Sequence, residues 1–399
     1  MKRSYENRNT LLDISRLMFR LGRGRLPTGV DRVMLAYLQR WREHACGVVL
    51  FGQWRRMLDA KTSDALFGLL LDAAPADKRW RVYRTMLKAC LPPWPSQQAE
   101  GMRTFYLGHW GLERPGFSQW VRSTRQKPVY FIHDLIPLTH PEYCRPGEAN
   151  LHAVRMQVAL ETGAGVLVNS QHTLDVLSDW AQKRGLKMPA SAVAHLAPAA
   201  LTPTSDLAGQ STVLQRPLQA HYFVVLGTIE PRKNHLLLLQ LWRDLVAMKG
   251  KGAPHLVVIG QRGWECENVL DMLERCPGLR EHVHELPHCT DKQLASYLAH
   301  AQALLFPSFT EGYGMPVVEA LMVGTPVIAS DLPVFREFAH NVPEWLYPND
   351  GVGWLRAVQD YGDSHHPRRL AQLERLRQWN PPTWSQHFDA VDDLLERLP

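Results

Sequence analysis

Residues Leu304–Arg336 read LLFPSFTEGYGMPVVEALMVGTPVIASDLPVFR, an order of residue types that spells strand, loop, helix, turn, strand. The strands are the apolar runs Ala303–Pro307 and Pro326–Ser330, which lack strict alternation, as strands buried on both faces do. Pro316 suits the first helical position, where its missing N–H costs nothing, and Gly324 suits the C-terminal turn. The helix is therefore expected from Pro316 to Val323. Before it lies the loop Ser308–Met315, with Gly312 and Gly314. Unpaired N–H groups and the positive end of the macrodipole make such a helix start a site for phosphate. Glycines let the backbone approach the ligand closely.

Two carboxylates, Glu311 and Glu319, frame this loop. Glu319 lies one turn inside the helix and can accept two hydroxyl hydrogen bonds, as a ribose diol would offer. Glu311 is placed to meet the hydroxyls of a sugar beyond the phosphates. A second stretch, Val224–His235 (VVLGTIEPRKNH), follows an apolar strand. Gly227 permits a tight turn at the strand's C-terminal end, where ligands bind in open α/β sheets. Arg232 and Lys233 then supply two fixed cations, which suit a diphosphate and strengthen as charge develops on a leaving group. The plainer alternatives are a helix-capping acid, a solvated loop acid and a solvated basic pair. Neither G-x-G-x-x-G nor G-x-x-x-x-G-K-[ST] occurs, which argues against a dehydrogenase and a P-loop ATPase.

The same pattern extends outward. Strands are expected at Leu11–Ile14, Gly47–Gly52, Thr104–Leu107, Val129–His133, Val166–Asn169 and Val193–Leu196, then at Tyr222–Gly227, Leu256–Gly260 and His282–Leu286. Helices lie between them; His235–Lys249 carries Leu236, Leu239, Trp242 and Leu245 at helical spacing, with Asn234 as N-cap. This alternation implies an α/β fold. Residues 198–220, rich in Pro, Ser, Thr, Gly and Gln, read as a linker. The expected organisation is a Rossmann-like domain over 1–210, a second over 211–380, and a C-terminal helix over 381–399.

In the first half, the strand within PVYFIHDLIP ends at His133 and Asp134. His133 is expected to face an interdomain cleft and meet a donor sugar, with Asp134 orienting it. Arg25–Val33 (RLPTGVDRV) precedes a helix expected over Asp31–Trp41, and Gly29 would bring backbone close to a ligand there.

Composition narrows the class. A chain of 399 residues, 45% hydrophobic and 21% charged, reads as two globular domains. No apolar run is long enough to span a membrane. The polar start MKRSYENRNT does not read as a secretory signal, so a cytoplasmic location is expected. The cysteines at 46, 90, 144, 266, 276 and 289 show no C-x-x-C pair, which argues against zinc and disulfides. Residues 1–56 hold twelve Lys or Arg against four Asp or Glu. Such a surface attracts phosphates, including those of a membrane. No nucleic-acid-binding motif is present.

Taken together these residues resemble glycosyltransferase family 4, most clearly over Tyr222–Ala339 and more weakly over Leu11–Asn169. Glu311 and Glu319 look like its E-x7-E element, and Arg232 and Lys233 like its basic pair. Gln261–Trp264, HDLIP and VNSQHT look like mannosyltransferase signatures, and PTGVDRV like a loop of bacterial surface-polysaccharide members. The resemblance implies the GT-B fold, in which two Rossmann-like domains with parallel sheets face across a cleft: 1–210 would bind the acceptor, 211–380 the nucleotide-sugar, and the helix over 381–399 would cross back to the N-terminal domain. It implies retention of anomeric configuration, no cofactor and no bound metal. It also assigns roles: Glu319 on the ribose, Glu311 on the transferred sugar, and Arg232 and Lys233 on the diphosphate. Gly312, Tyr313 and Gly314 would offer backbone contacts, and His133 would approach the sugar. The donor is a nucleotide-sugar, with GDP-mannose the first choice; the acceptor is a glycan or lipid-linked saccharide, with peripheral contact at the inner membrane. Residues 52–100, including Pro92, Pro93, Trp94 and Pro95, match no family pattern.

No second carboxylate is placed as a covalent nucleophile. Front-face substitution follows, with the leaving phosphate receiving the acceptor proton. Two other readings remain open: a nucleotide-sugar epimerase or hydrolase, and a non-catalytic nucleotide-sugar-binding module.

Overall fold

The computed structural model of the chain describes residues 8–23, 29–72, 78–89, 99–198 and 218–398. Residues 1–7, Arg25–Thr28 of the RLPTGVDRV loop, Pro92–Pro95, most of the expected linker and the 210/211 boundary lie outside the described residues. The chain divides into two compact units: Met1–Thr139 with Pro146–His195 and Ser385–Pro399, and His140–Arg145 with Leu196–Trp384.

The first unit holds a seven-stranded sheet. Its strands are β1 (Thr10–Asp13), β2 (Ala45–Phe51), β3 (Trp54–Met57), β4 (Arg103–Tyr106), β5 (Lys127–Ile132), β6 (Gly165–Val168) and β7 (Ala190–Val193), in the spatial order β3-β2-β1-β4-β5-β6-β7. All neighbours are parallel except β2 and β3. That pair is a hairpin closed by Gly52 and Gln53, with Gly52 at φ 60°. It departs from the expected all-parallel sheet because a two-residue turn can join only antiparallel strands. β3 itself escaped notice: WRRM is short, and paired arginines suit a sheet edge. β7 sits three residues earlier than expected, leaving Ala194–Leu196 to lead out of the sheet.

Apolar strand residues such as Leu11, Val48, Tyr130 and Val166 bury against the flanking helices. The last helix, Trp384–Glu396, belongs to the same unit and buries Val391 and Leu394 fully. His387 Nε2 lies 3.0 Å from the Tyr37 hydroxyl, inside the same unit.

The second unit holds a six-stranded, wholly parallel sheet: β8 (Tyr222–Leu226), β9 (His255–Ile259), β10 (Val283–Leu286), β11 (Leu304–Phe306), β12 (Val327–Ser330) and β13 (Glu344–Leu346). The order is β10-β9-β8-β11-β12-β13. Going out from β8 the chain winds one way through β9 and β10, then reverses to β11. This reversal between β8 and β11 opens a crevice at their carboxyl ends, where ligands of such sheets bind. Helix His235–Lys249 has the expected bounds. The helix after β11 spans Met315–Met322, one residue earlier than expected, and Gly324 takes φ 81° beyond it. Asn234 is not a side-chain N-cap. It closes a 3-10 turn (Pro231–Lys233) at φ 55°, a conformation asparagine tolerates, and its Nδ2 donates to the Pro348 carbonyl.

At the ends of β8 and β9 the backbones touch. A Cβ placed on Gly260, at φ 157°, would lie 2.0 Å from the Gly227 carbonyl oxygen. Because the obstacle is backbone, Gly260→Ala is expected to lower the stability of the second unit by about 3 kcal/mol or more in urea unfolding.

Candidate functional site

The reversal brings two loops together. The one after β8 carries Glu230, Arg232 and Lys233; the one after β11 carries Ser308 and Glu311. A backbone bond ties them, Phe309 N–H to the Arg232 carbonyl at 2.8 Å. Glu311 sits at the junction. Its Oε2 accepts from Arg232 Nη1 at 2.6 Å, and its Oε1 from Lys233 Nζ at 2.5 Å and from Ser308 Oγ at 2.7 Å. Arg232 Nη2 also reaches Glu230 Oε1 at 2.7 Å. The Lys233 ammonium lies 4.5 Å from the Phe306 ring centroid, a cation–π contact. Glu230, Lys233 and Glu311 are buried, whereas Arg232 is partly exposed.

Burial pushes the Glu311 carboxyl up, but the charges of Arg232 and Lys233 outweigh it and hold it at about 2. On Lys233 burial wins instead and draws the ammonium below its ordinary range, against the pull of Glu311. Burial likewise raises Glu230, opposed by Arg232. The two cations are thus held rigid and close together by acids already within the protein.

The remaining residues of the loop divide by role. The Tyr313 hydroxyl donates to the Leu196 carbonyl at 2.9 Å and its ring packs on Phe338. Its side chain is therefore an anchor, leaving backbone to meet a ligand. Gly314 takes φ 105°, and a Cβ there would lie 2.4 Å from the Phe335 ring, so packing alone demands glycine. Gly312 lies half-buried between Glu311 and Tyr313. Glu319 is buried on the helix one turn beyond. A Cβ on Gly227 would crowd the Lys233 side chain at 3.2 Å.

The first unit gathers its polar groups at the carboxyl ends of β1, β4 and β5. His133 is buried, and its Nε2 meets the Leu107 carbonyl at 2.8 Å. Its own carbonyl accepts from Asn169 Nδ2 at 2.8 Å. Asp134 does not orient this ring through a hydrogen bond, since its carboxylate instead accepts the Ile136 N–H at 3.0 Å and closes the local turn. Gly29 opens the helix Gly29–Trp41. Two residues on, the buried Asp31 carboxylate receives Arg16 at 2.8 Å and Arg20 at 2.7 Å.

Sequence reasoning missed several groups here. The His133 N–H donates to His109 Nε2 at 3.3 Å, and His109 packs edge-on against His152 at 5.0 Å. Burial pulls all three histidines below their ordinary range. His109 follows β4 in LGHWG, and the strand-end logic applied to His133 would have found it. Glu230 lay inside the quoted VVLGTIEPRKNH and is distinguished only by the contact it makes.

Comparison with known proteins bears on this arrangement. Residues 210–350 match the family described as Glycosyl transferases group 1. This match lies within the second unit. The chain is 28% identical to the serotype-specific mannosyltransferase WbdA of Escherichia coli over 70% of its length, and spans about a third (34%) of that protein. It is 27% identical to the O-antigen chain mannosyltransferase B of Escherichia coli, covering 73% of this chain and 74% of that one. Anabaena Alr3699/HepE, solved in complex with UDP, superposes with a TM-score of 0.65 at 16% identity, over 98% of this chain and all (100%) of that chain. The architecture is therefore the two-domain GT-B fold.

Glu311 sits well below the ordinary carboxyl value of 4.5, so its ionised form stabilises the fold above that pH, and the contribution is lost as pH falls through about 2. The stability gap between the native chain and Glu311→Gln is expected to be about 3 kcal/mol at neutral pH and to shrink on acidification, as read by urea unfolding across pH.

Proposed function

We propose that this chain is a retaining glycosyltransferase that moves a hexose, first choice mannose from GDP-mannose, onto a glycan or lipid-linked saccharide in bacterial surface-polysaccharide synthesis. The observation that carries this reading is the convergence of Arg232, Lys233 and Glu311 where the strand order reverses, beside a glycine-bearing helix start. The names of the mannosyltransferase relatives support the sugar and the pathway class. The proposed location is the cytoplasmic face of the inner membrane, with the basic excess of residues 1–56 turned toward lipid phosphates.

The chemistry follows from the charges. When a diphosphate enters, it competes with Glu311 for the cations that Glu311 holds. The displaced carboxylate becomes available to the hydroxyls of the transferred sugar, and Glu319 to the ribose. Arg232 and Lys233 then stabilise the departing diphosphate, which accepts the proton of the acceptor hydroxyl as the new bond forms on the same face. This electrostatic role needs no bound metal, so turnover should persist in excess chelator.

Thermal-shift screening with GDP, UDP and ADP tests the donor site, since a ligand of the folded state raises its melting temperature. Lys233→Ala should abolish that shift for the matching nucleotide and lower kcat/KM roughly 10²–10³-fold. Product analysis by mass spectrometry with and without acceptor separates transfer from donor hydrolysis or epimerisation. A Glu311→Ala variant with unchanged turnover would overturn the assignment.

A further inference from the structure

We infer that helix Lys78–Ala89 of the first unit is a docking surface for an anionic lipid bilayer. Its sequence, KRWRVYRTMLKA, holds five cations and no carboxylate. Val82 is buried against the unit, and Met86, one turn on, is half-buried. The opposite stripe is bare: Trp80 is 78% exposed, Tyr83 50% and Leu87 68%. These positions follow a three-then-four spacing and so share one face. Arg81 and Arg84 are also exposed, beside the stripe.

The surface continues onto the neighbouring helix. A Cβ on Gly22, at the end of helix Ser15–Gly22, would lie 2.8 Å from the Tyr83 hydroxyl, so the two helices lie against each other there. That helix exposes Phe19, with the Arg23 guanidinium 4.1 Å over its ring. Exposed aromatic and aliphatic groups clustered this way mark an interaction site.

Three occupants can be weighed on chemistry. A polyanion would satisfy the arginines and stack on Trp80 but leaves Leu87 against water. A second copy of this chain would bring Arg81 and Arg84 against their own counterparts in a self-complementary contact, which repels. An anionic bilayer satisfies both halves: tryptophan and tyrosine suit the headgroup boundary, Leu87 reaches the acyl region, and the arginines meet lipid phosphates. The inference deepens the membrane contact proposed above by centring it on helix Lys78–Ala89, outside residues 1–56, with Phe19 and Arg23 at its edge, and it is independent of glycosyl transfer.

The test is co-sedimentation of the full chain with vesicles of equal parts phosphatidylcholine and phosphatidylglycerol, with pure phosphatidylcholine as control. Binding is expected only to the anionic vesicles and should weaken as salt rises. Trp80→Ser with Leu87→Ser should reduce partitioning about tenfold or more, and Arg81→Glu with Arg84→Glu should do the same, because both halves of the surface contribute. Both variants should keep the melting temperature, and turnover on a soluble acceptor, of the native chain. Vesicle binding that is equal in all three proteins overturns the proposal. So does a native dimer that these substitutions split, which would assign the face to a second copy.

Discussion

The second unit is organised around one contact, the salt bridge that Glu311 makes simultaneously to Arg232 and Lys233. Those residues are nearly eighty positions apart. They meet because the strand order reverses between β8 and β11, which places two carboxyl-terminal loops side by side. Burying two cations is costly unless acids and hydrogen bonds compensate them. Glu311, Glu230 and Ser308 do so, and the Phe309 to Arg232 backbone bond fixes the spacing. The glycines around this point follow from the same crowding: Gly227 leaves room for the lysine stem, and Gly314 for Phe335.

The first unit presents a different chemistry on a similar frame. Its strand ends collect three buried imidazoles, His109, His133 and His152, near the Arg16–Asp31–Arg20 group. Such imidazoles can exchange hydrogen bonds with sugar hydroxyls.

Much of the frame was legible in the sequence. Long apolar strands and the helix His235–Lys249 are set by local pattern, which survives folding unchanged. The glycine loop and the Arg232–Lys233 pair could be placed because their positions follow strand ends. What stayed hidden depends on distant partners. Nothing in TEGYG tells that Glu311 is buried between cations, nor in HDLIP that His133 Nε2 belongs to the Leu107 carbonyl. The short strands β3 and β13 carry too few residues for periodicity to register.

The first unit is closed by residues from the far end of the chain. Helix Trp384–Glu396 delivers Val391, Leu394 and His387 to a core whose other members precede residue 196. During synthesis that core must therefore wait, incomplete, while the whole second unit emerges, an interval on the order of tens of seconds at about 5–20 residues per second. For that time Tyr37 and the neighbouring apolar strands present an uncovered face. The ribosome finishes the two units in the reverse of their order along the chain, and loss of helix Trp384–Glu396 would be felt in strands made long before it.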